Sequence, residues 1–235
     1  MPPGIAPVSQ NRLLAAIAPE ELERLMPQFQ SIPLVLKETL FTAGEQIEFF
    51  YFPLIGVISM IASTEDGRSV EVGIVGKEGA TDVSVVLGDD ISSHHGIVQL
   101  AGSALRLSAT ALREELRRDG ELRSILLRYS RFTLAQATQS AACNRLHSLE
   151  QRCARWLLAM RDRVEADTFP MTHEFLAYML GVRRPHVTVA ARALQASGRV
   201  RYVRGRLTIL DREGLEADAC ECHRVLKSEL VRLLG

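Results

Sequence analysis

Residues 173–192 read HEFLAYMLGVRRPHVTVAAR. Two short helices joined at Gly181 account for this pattern, because glycine accepts the left-handed backbone conformation that a sharp turn between helices requires. Ala177, four residues earlier, is small enough for a second helix to cross the first there. Pro185 is compatible with the second helix only if it lies in the first turn. The stretch therefore predicts a helix-turn-helix.

The other positions of this stretch also meet the demands of two crossed helices. Thr172 is a suitable N-cap, and its hydroxyl or the helix N-terminus could hold a phosphate group. The apolar residues expected to face inward are Leu176, Leu180, Val182, Val187 and Ala190.

Basic side chains cluster at the start of the second helix, where a helix lying in the DNA major groove reads base edges. The outward positions are Arg183, Arg184, His186 and Thr188, with Val189 and Arg192 beyond them. Arginine is the usual bidentate partner of guanine. The pattern indicates a recognition helix. The alternative is a helical hairpin with a solvated basic edge.

A second element follows directly. Residues 198–210 alternate in polarity around Arg204-Gly205, which predicts a tight β-hairpin or wing whose tip carries Arg204 and Arg206 towards phosphates. The predicted DNA contacts are Thr172, His173, Arg183, Arg184, Pro185, His186, Thr188, Arg192, Arg204 and Arg206.

Charge is distributed unevenly along the 235 residues. Residues 1–119 hold 9 Lys and Arg against 16 Asp and Glu, whereas residues 120–235 hold 19 against 12, so the halves carry −7 and +7. Between Thr172 and Glu213 there are eight arginines and three acids. A basic half in a neutral chain is typical of proteins that meet polyanions. The competing interpretation is a sensing or scaffold module whose basic domain binds a protein.

Composition and motifs exclude several classes. A chain that is 47% hydrophobic and 24% charged is globular rather than disordered. It has neither a membrane-length apolar run nor a secretory leader, so we expect a cytoplasmic protein. Gly-rich phosphate loops, His-Glu-x-x-His and Gly-x-Ser-x-Gly are all absent from the sequence, so we expect no enzyme.

The N-terminal half has a different pattern. A short helical lead-in over residues 10–30 starts at Pro19-Glu20-Glu21, and short β-type runs separated by glycine-containing turns then fill residues 32–108. Examples are 57–61, 69–75 and 97–100, which indicate an all-β roll or barrel.

A long helix follows between residues 110 and 166, where glycine almost disappears. A seam with alternating spacing of three and four residues consists of Leu122, Ile125, Tyr129, Phe132, Gln136, Gln139, Cys143 and Leu146. This spacing is typical of a parallel coiled-coil dimer, with the glutamines setting its register. A helix that lies on its own β-domain would show the same pattern. A helix with one face on that β-domain and a second face on a partner copy satisfies both interpretations. Trp156, in the next amphipathic helix, is expected to anchor the small domain's core.

The run Cys220-Glu221-Cys222-His223 invites a metal or redox interpretation. If residues 213–234 form one helix, Cys220 and Cys222 point in different directions and cannot share a metal. We therefore expect an incidental or structural role here and no metal site, with Cys143 and Cys153 as helix-packing residues.

Motifs along the chain carry a wider resemblance. In chain order they are Asp66-Gly67-Arg68, Val70-Glu71-Val72-Gly73, Gly76-Lys77-Glu78-Gly79, Cys143-Asn144-Arg145, Arg152 through Leu158, and Leu176 through Arg184. With these motifs the sequence resembles the Crp–Fnr family of bacterial transcription regulators over nearly its whole length. The resemblance implies an N-terminal cyclic-nucleotide-binding-like β-roll, a long dimerisation helix, a C-terminal winged helix, and RNA polymerase as a partner besides DNA.

Departures from the family pattern bear on the ligand and the DNA site. Family members that bind cyclic AMP hold its phosphate with an Arg-Ser or Arg-Thr pair, and that position here falls on His94-His95. Neutral histidine replaces a guanidinium fork poorly, so we expect no cyclic nucleotide. The family's recognition-helix Glu falls on Pro185, and a second common Arg falls on Val189, so a different DNA sequence is expected.

The effector pocket, whatever its ligand, is assigned to Gly76, Glu78, Gly79, His94 and His95. Family members with an iron–sulfur cluster need cysteines near the N-terminus, and the first cysteine here is Cys143. No cofactor is therefore predicted.

The sequence predicts an α+β protein with three parts: a sensor β-roll over residues 1–118, a dimerisation helix over 119–148, and a winged helix-turn-helix over 149–235. The predicted function is sequence-specific DNA binding by a homodimer on a roughly palindromic site, which regulates transcription.

Overall fold

A computed structural model describes residues 8–235. The chain forms two compact units. One comprises the residues up to Met60 with Gly73–Leu134 and Leu230–Gly235, and the other comprises Ile61–Val72 with Ala135–Glu229. The mixture of helix and antiparallel sheet confirms the predicted α+β class. The three domain boundaries drawn from the sequence stay predictions.

The described residues contain eight strands and ten α-helices, besides two short 3-10 helices and the connecting loops. The strands are β1 (Gln30–Leu34), β2 (Thr39–Phe41), β3 (Phe49–Ser63), β4 (Ser69–Val75), β5 (His95–Ser108), β6 (Thr168–Pro170), β7 (Val200–Val203) and β8 (Arg206–Ile209). The helices are α1 (Arg12–Ala15), α2 (Pro19–Leu25), α3 (Ser84–Leu87), α4 (Ala109–Leu116), α5 (Glu121–Leu146), α6 (Leu149–Val164), α7 (His173–Leu180), α8 (Arg184–Ala196), α9 (Arg212–Asp218) and α10 (Cys222–Leu234).

The N-terminal sheet has five strands in the order β1-β5-β3-β4, with β2 also paired to β5. The strands β1 and β2 run antiparallel to β5, from Gln30 opposite Arg106 to Thr39 opposite Ile97. The turn at Gly67 between β3 and β4 has a positive φ of 81°, as the Asp66-Gly67 signal predicts. The three β-type runs quoted from the sequence lie in β3, β4 and β5.

The lead-in helix α2 begins at Pro19 as predicted, and Glu21 on it has a further role. The Glu21 carboxylate is buried and accepts hydrogen bonds from the backbone N–H groups of Glu121 (2.8 Å) and Leu122 (3.2 Å). These are among the unpaired donors at the start of α5, so a carboxylate there both caps the helix and complements its dipole.

The first half of the predicted seam of α5 lies against the chain itself. Leu122, Ile125, Tyr129 and Phe132 are each at most 2% exposed and belong to the core formed with the sheet and with α1, α2 and α4. A different face of α5, carrying Leu127 and Leu134, reaches solvent. The first half of the seam therefore fits the helix lying on its own β-domain, whereas Leu146 at the end of the seam is 75% exposed.

The C-terminal half packs α7 and α6 against α8, with a three-stranded antiparallel sheet in the order β6-β8-β7. Trp156 of α6 is 1% exposed, in agreement with its expected role in the core. Its indole N–H donates to the Glu71 carboxylate over 2.9 Å, which supplies the partner that a buried indole needs. Within residues 8–235 no helix has the length and apolarity to cross a bilayer.

Candidate nucleic-acid interface

The turn between α7 and α8 has the geometry expected from the sequence. Gly181 ends α7 in the left-handed conformation, with φ 64° and ψ 37°. A Cβ atom on Gly181 would lie 3.0 Å from the Val70 side chain, so glycine is favoured by space as well as by conformation. Ala177 is 4% exposed at the crossing of the two helices. The helix-turn-helix prediction is confirmed.

A buried arginine completes the turn. Arg152 of α6 donates from Nη2 to the carbonyl of Leu180 over 2.6 Å. The last carbonyls of a helix lack partners within the helix, and a cation near them also complements the helix dipole. Arg152 thereby holds the end of α7, a role that sequence reasoning did not identify.

The start of α8 presents its polar residues to solvent. Arg183 is the N-cap residue, Arg184 begins the helix, and Pro185 lies in the first turn, as predicted. Arg183, Arg184, Pro185, His186 and Arg192 are exposed. The inward positions are buried, with Val187 and Ala190 both at 0% exposure.

His173 and Thr188 connect α7 to α8 rather than extending freely into solvent. The His173 ring contacts Tyr202 edge-on, with 4.6 Å between the ring centroids, and its Nδ1 is 3.1 Å from the Thr188 hydroxyl. Burial and the charges of Arg184 and Arg192 lower the pKa of His173. A mostly neutral ring therefore positions Thr188 at neutral pH, and the Thr172 hydroxyl caps α7 by accepting from the Phe175 N–H.

The hairpin of β7 and β8 is the predicted wing. Val203 pairs with Arg206, and the two residues between them, Arg204 and Gly205, have positive φ values of 48° and 75°. Two such residues are typical of the type I′ turn that joins tightly paired strands. Arg204 and Arg206 are exposed at the tip. The third strand of this sheet, β6, has no counterpart in the sequence prediction.

The eight arginines between residues 172 and 213 fall into two groups. Arg199 pairs with Asp211 and Asp218, and Arg212 pairs with Asp162 and Glu216. The other six are exposed and form no ion pair with any carboxylate of the described residues. They are Arg183, Arg184, Arg192, Arg201, Arg204 and Arg206. Arg201, on β7, was not among the predicted contacts, although its place in the alternating hairpin already marks it.

The residues assigned to an effector pocket lie in the N-terminal unit. Glu78 is 5% exposed and accepts from the Gly76 N–H over 3.2 Å, while a Cβ atom on Gly79 would overlap the Tyr129 side chain. The Nδ1 of His95 accepts from the Ala43 N–H. Each residue thus has a local structural role, and the pocket assignment stays a prediction.

Among the residues assigned to the effector pocket, His94 has a packed ring and a shifted pKa. Its ring contacts Phe41 edge-on at 5.7 Å between centroids. Burial lowers the pKa of His94, and the nearby charge of His95 lowers it further. The Asp82 carboxylate acts in the opposite direction but does not offset these effects. A histidine with a lowered pKa carries little positive charge at neutral pH.

The C-terminal cysteines depart from the predicted arrangement. Residues 213–234 do not form one helix, because α9 ends at Asp218 and α10 begins at Cys222. The backbone between them is extended at Ala219, with φ −78° and ψ 155°. Cys220 lies in this break, so the argument that Cys220 and Cys222 point apart on a regular helix is wrong.

The break brings Cys220 and Cys222 to Cys143 and His147, with the candidate ligand atoms of all four residues within 4.8 Å of one another. A hydrogen bond from Cys220 and the charge of Arg155 lower the pKa of Cys143 to about 5, against the effect of burial. His223 lies outside this group, with its Nε2 atom 2.9 Å from the Asp162 carboxylate. Helix geometry therefore does not exclude a metal site in this region, because the four side chains have the types and the proximity that metal ligands need.

Comparison with known proteins identifies the C-terminal part. Residues 151–218 match the family model of the Crp-like helix-turn-helix domain. Those residues run from near the start of α6 to the end of α9 and include the wing, so the match confirms, for this part of the chain, the resemblance stated from the sequence motifs. A search of curated proteins by sequence found no match.

Solved structures extend the likeness to most of the chain. FixK2 from Bradyrhizobium japonicum superposes with a TM-score of 0.70 at 15% identity, covering 82% of this chain and 98% of its own. The c-di-GMP responsive global regulator CLP from Xanthomonas campestris gives 0.66 at 17% identity, covering 83% and 100%.

A transcriptional regulator of the CRP/FNR family from Thermus thermophilus gives 0.62 at 19% identity, covering 81% of this chain and 98% of its own. At these identities the comparison concerns the fold. The chain has the fold of the Crp/Fnr transcription regulators and carries a Crp-like helix-turn-helix domain at residues 151–218.

Proposed function

We propose that this protein regulates transcription by binding a specific DNA sequence as a homodimer. The observation that carries the proposal is the group of six exposed arginines without carboxylate partners in the described residues, which occupy α8 and the wing of a Crp-like helix-turn-helix. Exposed arginine on these two elements supplies both base recognition and phosphate contacts.

The position of each residue determines whether it contacts bases or backbone phosphates. Arg183, Arg184 and His186 at the start of α8 enter the major groove, and Arg184 hydrogen-bonds to a guanine. Arg204 and Arg206 at the wing tip, with Arg201 on β7, bind backbone phosphates. The hydroxyl of Thr188, oriented by His173, adds a contact beside them.

The dimer forms through the outward face of α5. Leu127 and Leu134 are 42% and 68% exposed, and seven residues separate them, so they lie on one stripe of the helix. Two copies of α5 paired along this stripe place two α8 helices in successive major grooves, about 34 Å apart. The site is then roughly palindromic, because a two-fold axis relates the half-sites.

The β-roll senses a signal other than a cyclic nucleotide held through its phosphate. A cyclic phosphate needs a fixed cation, and His94 at the corresponding position is packed against Phe41 with a lowered pKa. Addition of cyclic AMP or cyclic GMP is expected to leave the melting temperature of the full chain unchanged, as measured by differential scanning fluorimetry. A saturable rise in the melting temperature would contradict this part of the proposal. Contact with RNA polymerase stays a prediction.

The deciding experiment is selection of bound sequences from a random duplex library with the purified full chain and no added ligand. We expect a two-fold symmetric consensus with half-sites one helical turn apart. Binding to that consensus should weaken with salt by a log–log slope of about −0.9 per phosphate neutralised. A basic surface that binds a protein partner would instead enrich no sequence. Absence of enrichment, both without ligand and with cyclic nucleotides under oxidising and reducing conditions, would overturn the proposal.

A further inference from the structure

Four potential metal ligands meet at one place in the C-terminal unit. Cys143 lies near the end of α5, and His147 follows one helical turn later, with its backbone N–H still donating to the Cys143 carbonyl over 3.2 Å. Residues four apart on a helix share a face. Cys220 occupies the break between α9 and α10, and Cys222 is the first residue of α10. No proposed DNA contact is among these residues.

Two of the distances between these atoms match the edges of a tetrahedral site. The Sγ atoms of Cys143 and Cys220 are 3.5 Å apart, and Cys222 Sγ lies 3.6 Å from Nδ1 of His147. With zinc–sulfur bonds of about 2.3 Å and zinc–nitrogen bonds of about 2.0 Å, the edges of a tetrahedron are roughly 3.5 to 3.8 Å. The other separations are at most 4.8 Å, so contraction of the group by about 1 Å brings all four atoms within reach of one central ion.

The surroundings are those of a buried, oriented ligand set. Cys143 and Cys222 are 0% exposed and Cys220 is 4% exposed, so the thiols are shielded from solvent. The other ring nitrogen of His147, Nε2, lies 3.3 Å from the Glu221 carboxylate, which leaves Nδ1 directed at the cysteines. A carboxylate on the second nitrogen is the usual outer partner of a metal-bound histidine. The Gln139 amide donates to Cys222 Sγ over 3.1 Å.

The charge around the cluster also favours a metal–thiolate group. Three thiolates and one divalent cation carry a net charge of −1, and buried charge needs a counter-charge. The guanidinium groups of Arg152 and Arg155 interact electrostatically with Cys143. Their Nε atoms are buried and have no hydrogen-bond acceptor in the described part of the chain.

We propose that Cys143, His147, Cys220 and Cys222 form a closed structural site for Zn²⁺. Three cysteines and one histidine are a known structural zinc set, whereas Mg²⁺ and Ca²⁺ prefer oxygen ligands. All four positions are filled by protein, so the ion ties the end of α5 to the start of α10 rather than activating a water molecule. Zinc binding releases the protons that remain on the three thiols.

The test uses the reduced full chain, stripped of metal with a chelator and then supplied with Zn²⁺ or Co²⁺. We expect one zinc per chain by elemental analysis after desalting. Co²⁺ should give the visible absorption of a tetrahedral thiolate complex, which Zn²⁺ then bleaches. Chelation should lower the melting temperature of the zinc-loaded chain.

Variants separate the ligands from the other cysteine. Cys222→Ser and His147→Ala should lose stoichiometric zinc. His147→Cys should keep it and shift the cobalt spectrum, because a fourth thiolate replaces the imidazole. The matched control is Cys153→Ala, since Cys153 is a buried cysteine outside the cluster, and it should bind zinc like the parent protein.

Two results would overturn the proposal. One is a reduced parent protein that retains far less than one zinc per chain and gives no tetrahedral cobalt spectrum. This result does not depend on whether any variant folds. The other is zinc that remains bound in well-folded Cys222→Ser and His147→Ala. In the first case, a Cys143–Cys220 disulfide mapped by mass spectrometry before reduction would assign the cluster to redox chemistry instead.

Discussion

Arginines close together in sequence serve different purposes in this molecule. Arg199 bridges Asp211 and Asp218, and this pairing stabilises the fold of the C-terminal unit. Arg184, in contrast, extends from the first position of α8 into solvent. Counting charges along the sequence cannot separate these roles, because the carboxylates that pair with Arg199 come from other elements.

Arg184→Ala tests the proposed base-reading role. We expect it to weaken binding to the selected DNA site by about 1–3 kcal/mol and to relax the preference at one base position, because a bidentate contact to guanine is lost. Fluorescence anisotropy with matched and mismatched duplexes measures both effects. Arg117→Ala removes an exposed arginine far from α8 in sequence and serves as the control. If affinity and preferred site are the same as in the control, Arg184 does not read the DNA.

His94 makes stability depend on pH. Its folded-state pKa lies below the unfolded value of about 6.5, since burial disfavours the charged ring. As the pH falls through about 6.5, the unfolded state therefore binds more protons than the folded state, and the free energy of unfolding decreases. Above that pH the contribution of His94 to the free energy of unfolding is fully present. Urea unfolding measured from pH 7.5 to 5.5 checks this trend.

His94→Gln removes this titration and should flatten the pH dependence. His173 has a pKa lowered in the same direction, so some slope remains in the variant. Equal slopes in His94→Gln and the parent protein would show that His94 is protonated alike in the folded and unfolded states.

At the scale of elements, the turn between α7 and α8 depends on both conformation and space. Gly181 and Gly198 both have positive φ, 64° and 75°, but only Gly181 has a neighbour where a Cβ atom would stand. That neighbour is Val70, at 3.0 Å. The two glycines therefore share a left-handed backbone conformation, and they differ in whether a Cβ atom would contact a neighbouring side chain.

Gly181→Ala should destabilise the protein more than Gly198→Ala. Each substitution costs about 1–2 kcal/mol for the left-handed conformation, and Gly181→Ala adds the contact with Val70. Adding Val70→Ala to each variant should recover part of the loss only in the Gly181→Ala background. Chemical denaturation of the four proteins gives the comparison. Equal losses for the two single glycine variants would mean that the Val70 contact relaxes without cost.

At the scale of the whole molecule, the two faces of α5 have different surroundings. The face with Ile125 and Tyr129 is buried in the chain's own core, whereas Leu127 and Leu134 remain exposed. Burying a leucine from water contributes about 1.5–3 kcal/mol, so a stripe of them repeated on two copies favours association.

Leu134→Glu should break the proposed dimer. A carboxylate on each copy within the stripe places like charges in an apolar contact, which costs several kcal/mol. Light scattering at micromolar concentration should show monomer, and binding to the two-fold DNA site should fall because each half-site is then bound separately. Leu87→Glu, at a leucine of similar exposure outside α5, should remain dimeric. A dimeric Leu134→Glu would place the interface elsewhere.

Much of the structure was predictable because the relevant signals are local. Gly181, Ala177 and Pro185 specify the helix-turn-helix through backbone conformation and side-chain size within one stretch of chain. Arg204-Gly205 specifies the wing in the same way. The three-four spacing along α5 correctly indicated a long helix with an apolar face, since periodicity reports the presence of such a face.

Tertiary structure alone decided what those faces meet. Spacing does not say whether Leu122 and Phe132 pack on a partner or on their own sheet. In the structure both residues lie in the core of this chain. Neither does it predict that Cys143 meets Cys220, because 77 residues separate them and a helix break at Ala219 is needed to turn Cys220 inwards. Short-range steric rules determine turns, caps and periodic faces, whereas contacts between distant residues depend on how all the elements pack together.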